Sequence, residues 1–548
     1  MLNLWYKNAI VYCLDVETFI DSNGDGVGDF RGLADRLDHI EALGATCVWL
    51  LPFHLTPNRD NGYDVTDYYS VDPRLGTLGD VVEFMHAAQD RGLRVIIDLV
   101  VNHTSIDHPW FQEARRDRNS PRRNWYVWSD TKPADADEGM VFPGVQESTW
   151  TYDEVAGAWY MHRFFKHQPD LNITNPEVRE EIQRIMGFWL QMGASGFRID
   201  AVPFLIEYRG EQAPPDRQDP HRYLNEMREF LSWRQAEAIL LAEANIPDEE
   251  VDEYFGDNDR LHMIFDFQLN QRSFLALARQ SAAPVAERLK APPRIPPSAQ
   301  WATFLRNHDE VDLGRLSEAE RQEVFAAFGP DPGMQLYGRG IRRRLAPMLG
   351  GDPRRLAMAY SLMFSLPGTP VIWHGDEIGM GEDLSLPDRQ SVRTPMQWSD
   401  EPNAGFSEAP PEDLVRPVVT DGTFGYEHVN IMLQQQQPDS LLQHIQRLSR
   451  VRRACPEIGW GACEVLPTAD ESLLLLHYTW RDNALIVAHN FCDRALSTPL
   501  ALGEHTSRIT PLLSSADESL SGTAIQADAP LELEPYGFRW LRLGGERR

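Results

Sequence analysis

Eight short apolar runs recur along the chain, at residues 9–16, 47–51, 95–99, 196–200, 239–243, 263–267, 302–306 and 371–374. Stretches with helical periodicity stand between them, for example 30–42, 78–91, 176–192 and 353–365. A run that is apolar at nearly every position suits a strand buried on both faces, as in a parallel sheet covered by helices. Eight such strands alternating with helices predict an α/β fold, most simply a closed (β/α)8 TIM barrel. A doubly wound open sheet is the competing architecture. No G-x-G-x-x-G loop follows the first run, which weakens that alternative.

Three stretches break the alternation. Residues 103–175 are aromatic and charged with weak periodicity, as in Trp125-Tyr126-Val127-Trp128, and are too long for a strand-to-helix loop. They predict an inserted subdomain after strand 3. Residues 310–350 follow Asp309, carry the basic Arg342-Arg343-Arg344 and stand where a lid would lie. Past residue 458 the pattern turns to short strands, which predicts a C-terminal antiparallel β-sandwich over 459–548. The barrel is then expected over 1–102 and 176–458.

Acidic residues sit at the ends of three of the runs. Asp200 ends Gly196-Phe197-Arg198-Ile199-Asp200, Glu243 ends Ile239-Leu240-Leu241-Ala242-Glu243, and Asp309 closes Arg306-Asn307-His308-Asp309. A charge beside a core is costly, and the C-terminal ends of barrel strands are where such folds carry chemistry. One acid alone would be explained by a structural ion pair. Three, with Arg198 two positions before one and His308 directly before another, predict a converging active site.

Charge narrows the partners. The 548 residues include 52 basic and 82 acidic side chains, for a net charge of −30. Long-range repulsion argues against nucleic acid, polyphosphate or anionic membrane surfaces. The five cysteines, Cys13, Cys47, Cys455, Cys463 and Cys492, are scattered without a C-x-x-C pattern and read as buried thiols. The opening residues lack a signal-peptide h-region and no run is long enough to span a membrane, which predicts a cytoplasmic location. The oligomeric state, monomer or homo-oligomer, stays open.

One loop has the spacing of a hard-cation site. Asp21-Ser22-Asn23-Gly24-Asp25-Gly26-Val27-Gly28-Asp29 sets side-chain oxygens at Asp21, Asn23, Asp25 and Asp29, with the Val27 carbonyl between, like the front of an EF-hand-type loop. Such a site suits structural Ca²⁺ or Mg²⁺. Gly32 stands where that loop would place its bidentate Glu. No organic cofactor motif is present.

Four motifs in order, Asp98-Leu99-Val100-Val101-Asn102-His103, Gly196 to Asp200, Glu243 and Asn307-His308-Asp309, resemble those of the α-amylase clan, glycoside hydrolase family 13. Within it, His162-Arg163-Phe164-Phe165, Gly340-Ile341-Arg342-Arg343-Arg344 and Val392-Arg393-Thr394-Pro395-Met396-Gln397-Trp398 are similar to trehalose synthases, with exo-acting α-glucosidases close behind. The resemblance implies Asp200 as nucleophile, kept ionised by Arg198, Glu243 as acid/base, and Asp309 as the group stabilising the distorted sugar ring. It also implies Tyr63, His103 and His308 around the same glucose, and Asp64 with Arg393 clamping its non-reducing end. Two carboxyls about 5–5.5 Å apart would give retention through a covalent glycosyl-enzyme. Ala201 resembles relatives that prefer α-1,4 links. The implied ligands are small neutral sugars, namely maltose, trehalose and glucose. A second cation site is implied at Asn102, Asp170 and Glu207 with the Phe204 and Leu205 carbonyls. Two departures bear on the outcome. Val311-Asp312-Leu313-Gly314 replaces the Leu-Thr-Leu-Glu that such enzymes carry, and Trp373-His374 replaces a tyrosine pair. These leave an exo-acting α-glucosidase or glucosyltransferase as the alternative activity. A non-catalytic sugar-binding subunit is opposed by the presence of all three acids.

Overall fold

The computed structural model describes residues 3–207, 219–420, 422–500, 506–516 and 530–545. Eight parallel strands close a barrel: β1 (Val11–Leu14), β2 (Cys47–Leu50), β3 (Arg94–Leu99), β4 (Gly196–Ile199), β5 (Ile239–Ala242), β6 (Met263–Phe265), β7 (Gln300–Thr303) and β8 (Thr369–Trp373). They neighbour one another in chain order, and β8 returns to β1 with Val371 opposite Val11. The period of two explains why the runs read as continuously apolar. Val11, Cys13, Trp49, Ile96, Leu241, Met263 and Ala302 fill the interior, while Tyr12, Val48, Leu50, Ile97, Leu240 and Ile264 pack outward under the helices. The seventh strand begins earlier than the sequence pattern suggests, at Gln300, because its polar first residue is buried against the Lys7 and Gly459 carbonyls.

The helices follow the expected periodicity. Leu78–Asp90 opens with a reciprocal capping box between Thr77 and Asp80, a device worth about 1 kcal/mol. Pro176–Gln191 and Pro353–Ser365 each carry proline in the first turn behind an Asn or Asp cap. The stretch 30–42 divides into Phe30–Asp35 and Leu37–Ala42.

Between β3 and β4 lie the helix Pro109–Arg116 and a three-stranded sheet of Trp128–Ser129, Ala158–Met161 and Trp150–Asp153. After Asp309 come the strands Val311–Asp312, Gln335–Leu336 and Gly340–Ile341, joined in one antiparallel sheet, and the helix Glu318–Phe328. The C-terminal region is a five-stranded antiparallel sheet beside a two-stranded one. Leu475, Ile486, Leu496, Ile509 and Leu533 pack between the two sheets. The other face of the larger sheet joins the main core: Tyr478 bonds the Ser365 carbonyl, while His489 and Trp540 both reach the Ser361 hydroxyl, at 3.0 and 2.9 Å. Residues 501–505 and 517–529 of the expected sandwich lie outside the described residues. Among the described residues no helix is long and apolar enough to cross a membrane.

Candidate active site

Arg198 organises the C-terminal mouth of the barrel. It lies on β4 with its side chain inward, and the strand period puts Asp200 on the same side two residues on. Its Nη1 is 2.7 Å from Asp98 Oδ1 of β3 and 2.5 Å from Asp200 Oδ1, and its Nη2 is 2.8 Å from Glu243 Oε2, just past β5. One buried guanidinium thus holds three carboxylates. Ala201 follows in a left-handed conformation, φ 51°, an uncommon state for a residue with a Cβ. Its N–H donates to Glu243 Oε2 at 3.2 Å.

Burial and charge divide the roles of these acids. Burial pushes Asp200 up to about 6 against the pull of Arg198, so it is mostly ionised at neutral pH. Glu243 rises to about 7 through burial, opposed by Arg198 and reinforced by the charges of Asp200 and Asp309. A carboxyl near half-protonation is suited to giving and taking a proton. Burial also works against a charge on Asp309, but Arg389, with Arg393 behind it, holds it well below the usual carboxylate range. Arg393 Nη2 donates to Asp309 Oδ1 at 2.7 Å, and Arg389 Nη1 lies 3.1 Å from the same atom.

Tyr63, His103 and His308 gather around these groups. Tyr63 Oη donates to Asp98 Oδ2 at 3.2 Å and lies 2.8 Å from His308 Nε2, the two rings parallel at 5.9 Å. His103 Nε2 meets the Tyr63 carbonyl at 3.1 Å. Burial drives both histidines to the neutral form, His103 down to about 3 and His308 well below its ordinary range. The cavity in front of them has a volume of about 540 Å³ and is lined by Tyr63, His103, Asp200, Glu243 and Asp309. Phe142 and Phe164 of the inserted subdomain and Asp312 and Arg339 of the 310–350 insertion roof it.

The expected pair of Asp64 with Arg393 is not formed. Asp64 is fully buried in its own loop, accepting from Thr56 Oγ1 at 3.0 Å and from the Arg59 and Asp60 amides, and Arg393 is committed to Asp309 and the His308 carbonyl. Asp60 and Arg389, each four residues earlier, line the cavity instead. They also line a second cavity of about 390 Å³, so they stand in the wall between the two. Asp60 is pushed up to about 6 by burial, with Arg393, Gln168 and Arg389 opposing. The motif Asp60-Asn61-Gly62-Tyr63-Asp64 has an acid at both ends, and sequence spacing alone does not say which faces inward. Asp98 is a further residue the sequence pattern left without a role. Its signal was an acid within an otherwise apolar stretch, Val95 to Leu99.

The cation candidates fare unequally. In the 21–29 loop, Asp21 accepts from the Asn23, Gly24 and Gly26 amides and the Ser407 hydroxyl, and Asp29 caps a helix at Gly32 while taking Ser22. Asn23 and Asp25 turn to the amides of Asp25 and Val27. Among the described residues no group of three or more His, Cys, Asp or Glu gathers as a cation site. At the second candidate, Asp170 Oδ1 accepts from Asn102 Nδ2 at 3.3 Å and the Arg163 amide at 3.0 Å. Glu207 is instead paired with Arg163 at 2.6 Å, and the Phe204 carbonyl takes the Glu207 amide. Leu205 sits buried in the short helix Val202–Leu205.

The alpha-amylase catalytic-domain model matches residues 15–326 and 342–461. The chain belongs to the alpha-amylase family. By family it is a glycoside hydrolase or transglycosylase. It is 42% identical over 542 residues to a trehalose synthase of Thermus thermophilus, covering 98% of this chain but 56% of that protein. It is 41% identical over 562 residues to the trehalose synthase/amylase TreS of Mycobacterium tuberculosis, covering 99% and 93%. An oligo-1,6-glucosidase of Heyndrickxia coagulans is 30% identical, covering 90% and 93%. Among solved structures, an alpha-amylase from H.orenii superposes with a TM-score of 0.80 at 26% identity, covering 98% of this chain and all of that one. A trehalulose synthase superposes at 0.77 with 26% identity and the same coverage.

Proposed function

We propose that this family member is a retaining enzyme acting on α-glucosides, interconverting maltose and trehalose through a covalent β-glucosyl-Asp200 intermediate with some hydrolysis. The observation that carries this reading is the Arg198 clasp, which sets a mostly ionised Asp200 beside a half-protonated Glu243 at the floor of a roofed cavity. The volume of about 540 Å³ is in the range that encloses a small ligand. The relatives named trehalose synthase, at 41–42% identity, support the choice of disaccharides.

In this reading an oxygen of Asp200 bonds the anomeric carbon as the glycosidic bond breaks, and Glu243 gives its proton to the departing sugar oxygen. The released glucose turns within the cavity and presents its 1-hydroxyl. That oxygen bonds the anomeric carbon, its proton returns to Glu243, and Asp200 leaves. No water is consumed when the acceptor is the sugar, and two glucose molecules result when it is water. Asp309 carries a fixed negative charge toward the developing oxocarbenium ion. Asp60 and Arg389 close the non-reducing end, which makes the enzyme exo-acting.

An α-glucosidase or glucosyltransferase is the second reading, favoured by Gly314, which is exposed where trehalose synthases carry a glutamate. A structural Ca²⁺ or Mg²⁺ also belongs to this reading, at Asn102 and Asp170. The donors there are hard oxygens, and burial lifts Asp170 to about 7, against the Arg163 amide and charge and the Asn102 amide. We infer a cytoplasmic setting with free sugars as the ligands.

An NMR time course on maltose tests the function. Trehalose as the main product, reached from either disaccharide, supports the isomerase. Glucose as the main product moves the assignment to the α-glucosidase.

A further inference from the structure

The roof of the cavity contains a carboxylate in an unexpected position. Asp312 lies on the strand Val311–Asp312, paired with Gly340, and faces the cavity. Its Oδ2 accepts from Asn245 Nδ2 at 2.9 Å, and its Oδ1 accepts from the Gly314 amide at 2.7 Å. Arg339 Nε is 3.6 Å from Oδ1, and Arg339 Nη2 donates to the Val141 carbonyl of the inserted subdomain at 2.9 Å. Arg315 Nη2 donates to the Asn245 carbonyl at 2.6 Å. Asp312 therefore joins three segments: the loop two residues beyond Glu243, the 310–350 insertion, and the inserted subdomain.

A side chain at residue 314 would crowd this carboxylate and oblige it to shift. A Cβ built on Gly314 would lie 2.9 Å from Asp312 Oδ1 and 3.2 Å from Arg339 Cδ. Where the resembling Leu-Thr-Leu-Glu motif has its glutamate, this chain has Gly314, with a carboxylate from two residues earlier beside it.

We propose that Asp312 is a positioning residue that keeps the acceptor end of the cavity closed and sets how the glycosyl-enzyme divides between sugar and water. This rests on the function proposed above. With Asp312 in place, Asn245 and Arg339 are held across the mouth, and a released glucose stays within reach of the anomeric carbon. Without it, the roof loses the link between Asn245 and the subdomain, and water enters.

The experiment uses 4-nitrophenyl α-D-glucoside with glucose added as acceptor. Nitrophenol release counts formation of the glycosyl-enzyme, and the ratio of disaccharide to free labelled glucose counts its fate. Asp312→Ala is expected to lower the disaccharide-to-glucose ratio by about five-fold or more, and by clearly more than it lowers nitrophenol release. Gly314→Glu alone is expected to lower the ratio too, because it collides with Asp312. The pair Asp312→Thr with Gly314→Glu is expected to recover most of it, a sign reversal that a merely structural defect would not produce. An unchanged ratio in Asp312→Ala, or nitrophenol release falling in step with it, overturns the role of Asp312. A wild-type enzyme that makes only glucose, even with acceptor present, overturns the transfer reading itself and this proposal with it.

Discussion

Replacing Asp98 by Asn tests the carboxylate clasp on Arg198. Asp98 and Asp200 both contact Nη1 of that residue, at 2.7 and 2.5 Å, so their oxygens lie no farther apart than the two distances together, about 5.2 Å. Two unit charges at about 5 Å in an effective dielectric of about 20 repel by about 3 kcal/mol, or about two pK units. Arg198 already compensates part of that field, so about one unit is the expected change. The sign follows from the geometry. Asp98 raises Asp200, so a neutral Asn in its place lets Asp200 lose its proton at lower pH. Arg198, relieved of one carboxylate, pulls the same way. The acid limb of kcat/KM, set near pH 6 by Asp200, should move down by about one pH unit. The limb set by Glu243 should follow in the same direction: the charge of Glu243 raises Asp98, and the repulsion of two like charges is mutual. The assay is the pH profile of kcat/KM on 4-nitrophenyl α-D-glucoside, with Tm measured alongside. Asn retains an oxygen to accept from Trp49 Nε1 and Tyr63 Oη, so the fold should persist. An acid limb that stays in place or rises, in a protein of normal Tm, refutes the shared-field argument.

Asp200→Asn should cut turnover by about four orders of magnitude or more with Tm little changed, since it removes the negative charge that makes the carboxylate a nucleophile; substantial residual activity would reassign the nucleophile. Asp60→Ala should lower kcat/KM on maltose far more than it lowers Tm, whereas Asp64→Ala should do the reverse, because Asp64 serves its own loop; equal kinetic losses would undo the distinction. Burial raises Asp170 from its ordinary 3.8 to about 7 in the folded protein. Without a cation, the stability it contributes is present below its unfolded value and is lost as pH rises through about 7. Ca²⁺ should therefore raise Tm above pH 7 and do little near pH 5, and a Tm insensitive to both Ca²⁺ and chelator at either pH would remove the site.

The barrel was legible because parallel strands buried on both faces leave an unmistakable run, as at Ile239 to Ala242, and because turns and caps such as Asp352-Pro353 mark the helices. The three acids were legible for the same reason, each standing where an apolar run meets the mouth. What the sequence left open is set by side-chain direction in irregular loops. Asp60 and Asp64 flank one turn with equal claims, and only the bonds from Thr56 and two amides turn Asp64 away. The choice between Arg389 and Arg393 fails for the same reason, since both converge on Asp309 Oδ1. Asp312 was hidden because the motif departs at both Asp312 and Gly314, while the space between them is a property of three dimensions. The cation loop shows a further gap, since the backbone amides that turn to the carboxylates of Asp21 and Asp29 are not displayed by a motif.

The grip of the C-terminal sheet on the helix Pro353–Ser365 has a consequence for biosynthesis. That helix lies directly before β8, the strand that completes the barrel, and its outer face is covered by His489 and Trp540. During translation the first seven strands emerge well before residue 540 does, and domains ordinarily fold as they appear. Here the last turn of the ring would leave Ser361 and bare apolar surface open to water until the distal sheet arrives. The nascent barrel should therefore wait as an open, protease-sensitive intermediate, with ring closure and distal-sheet formation occurring as a single cooperative event late in synthesis.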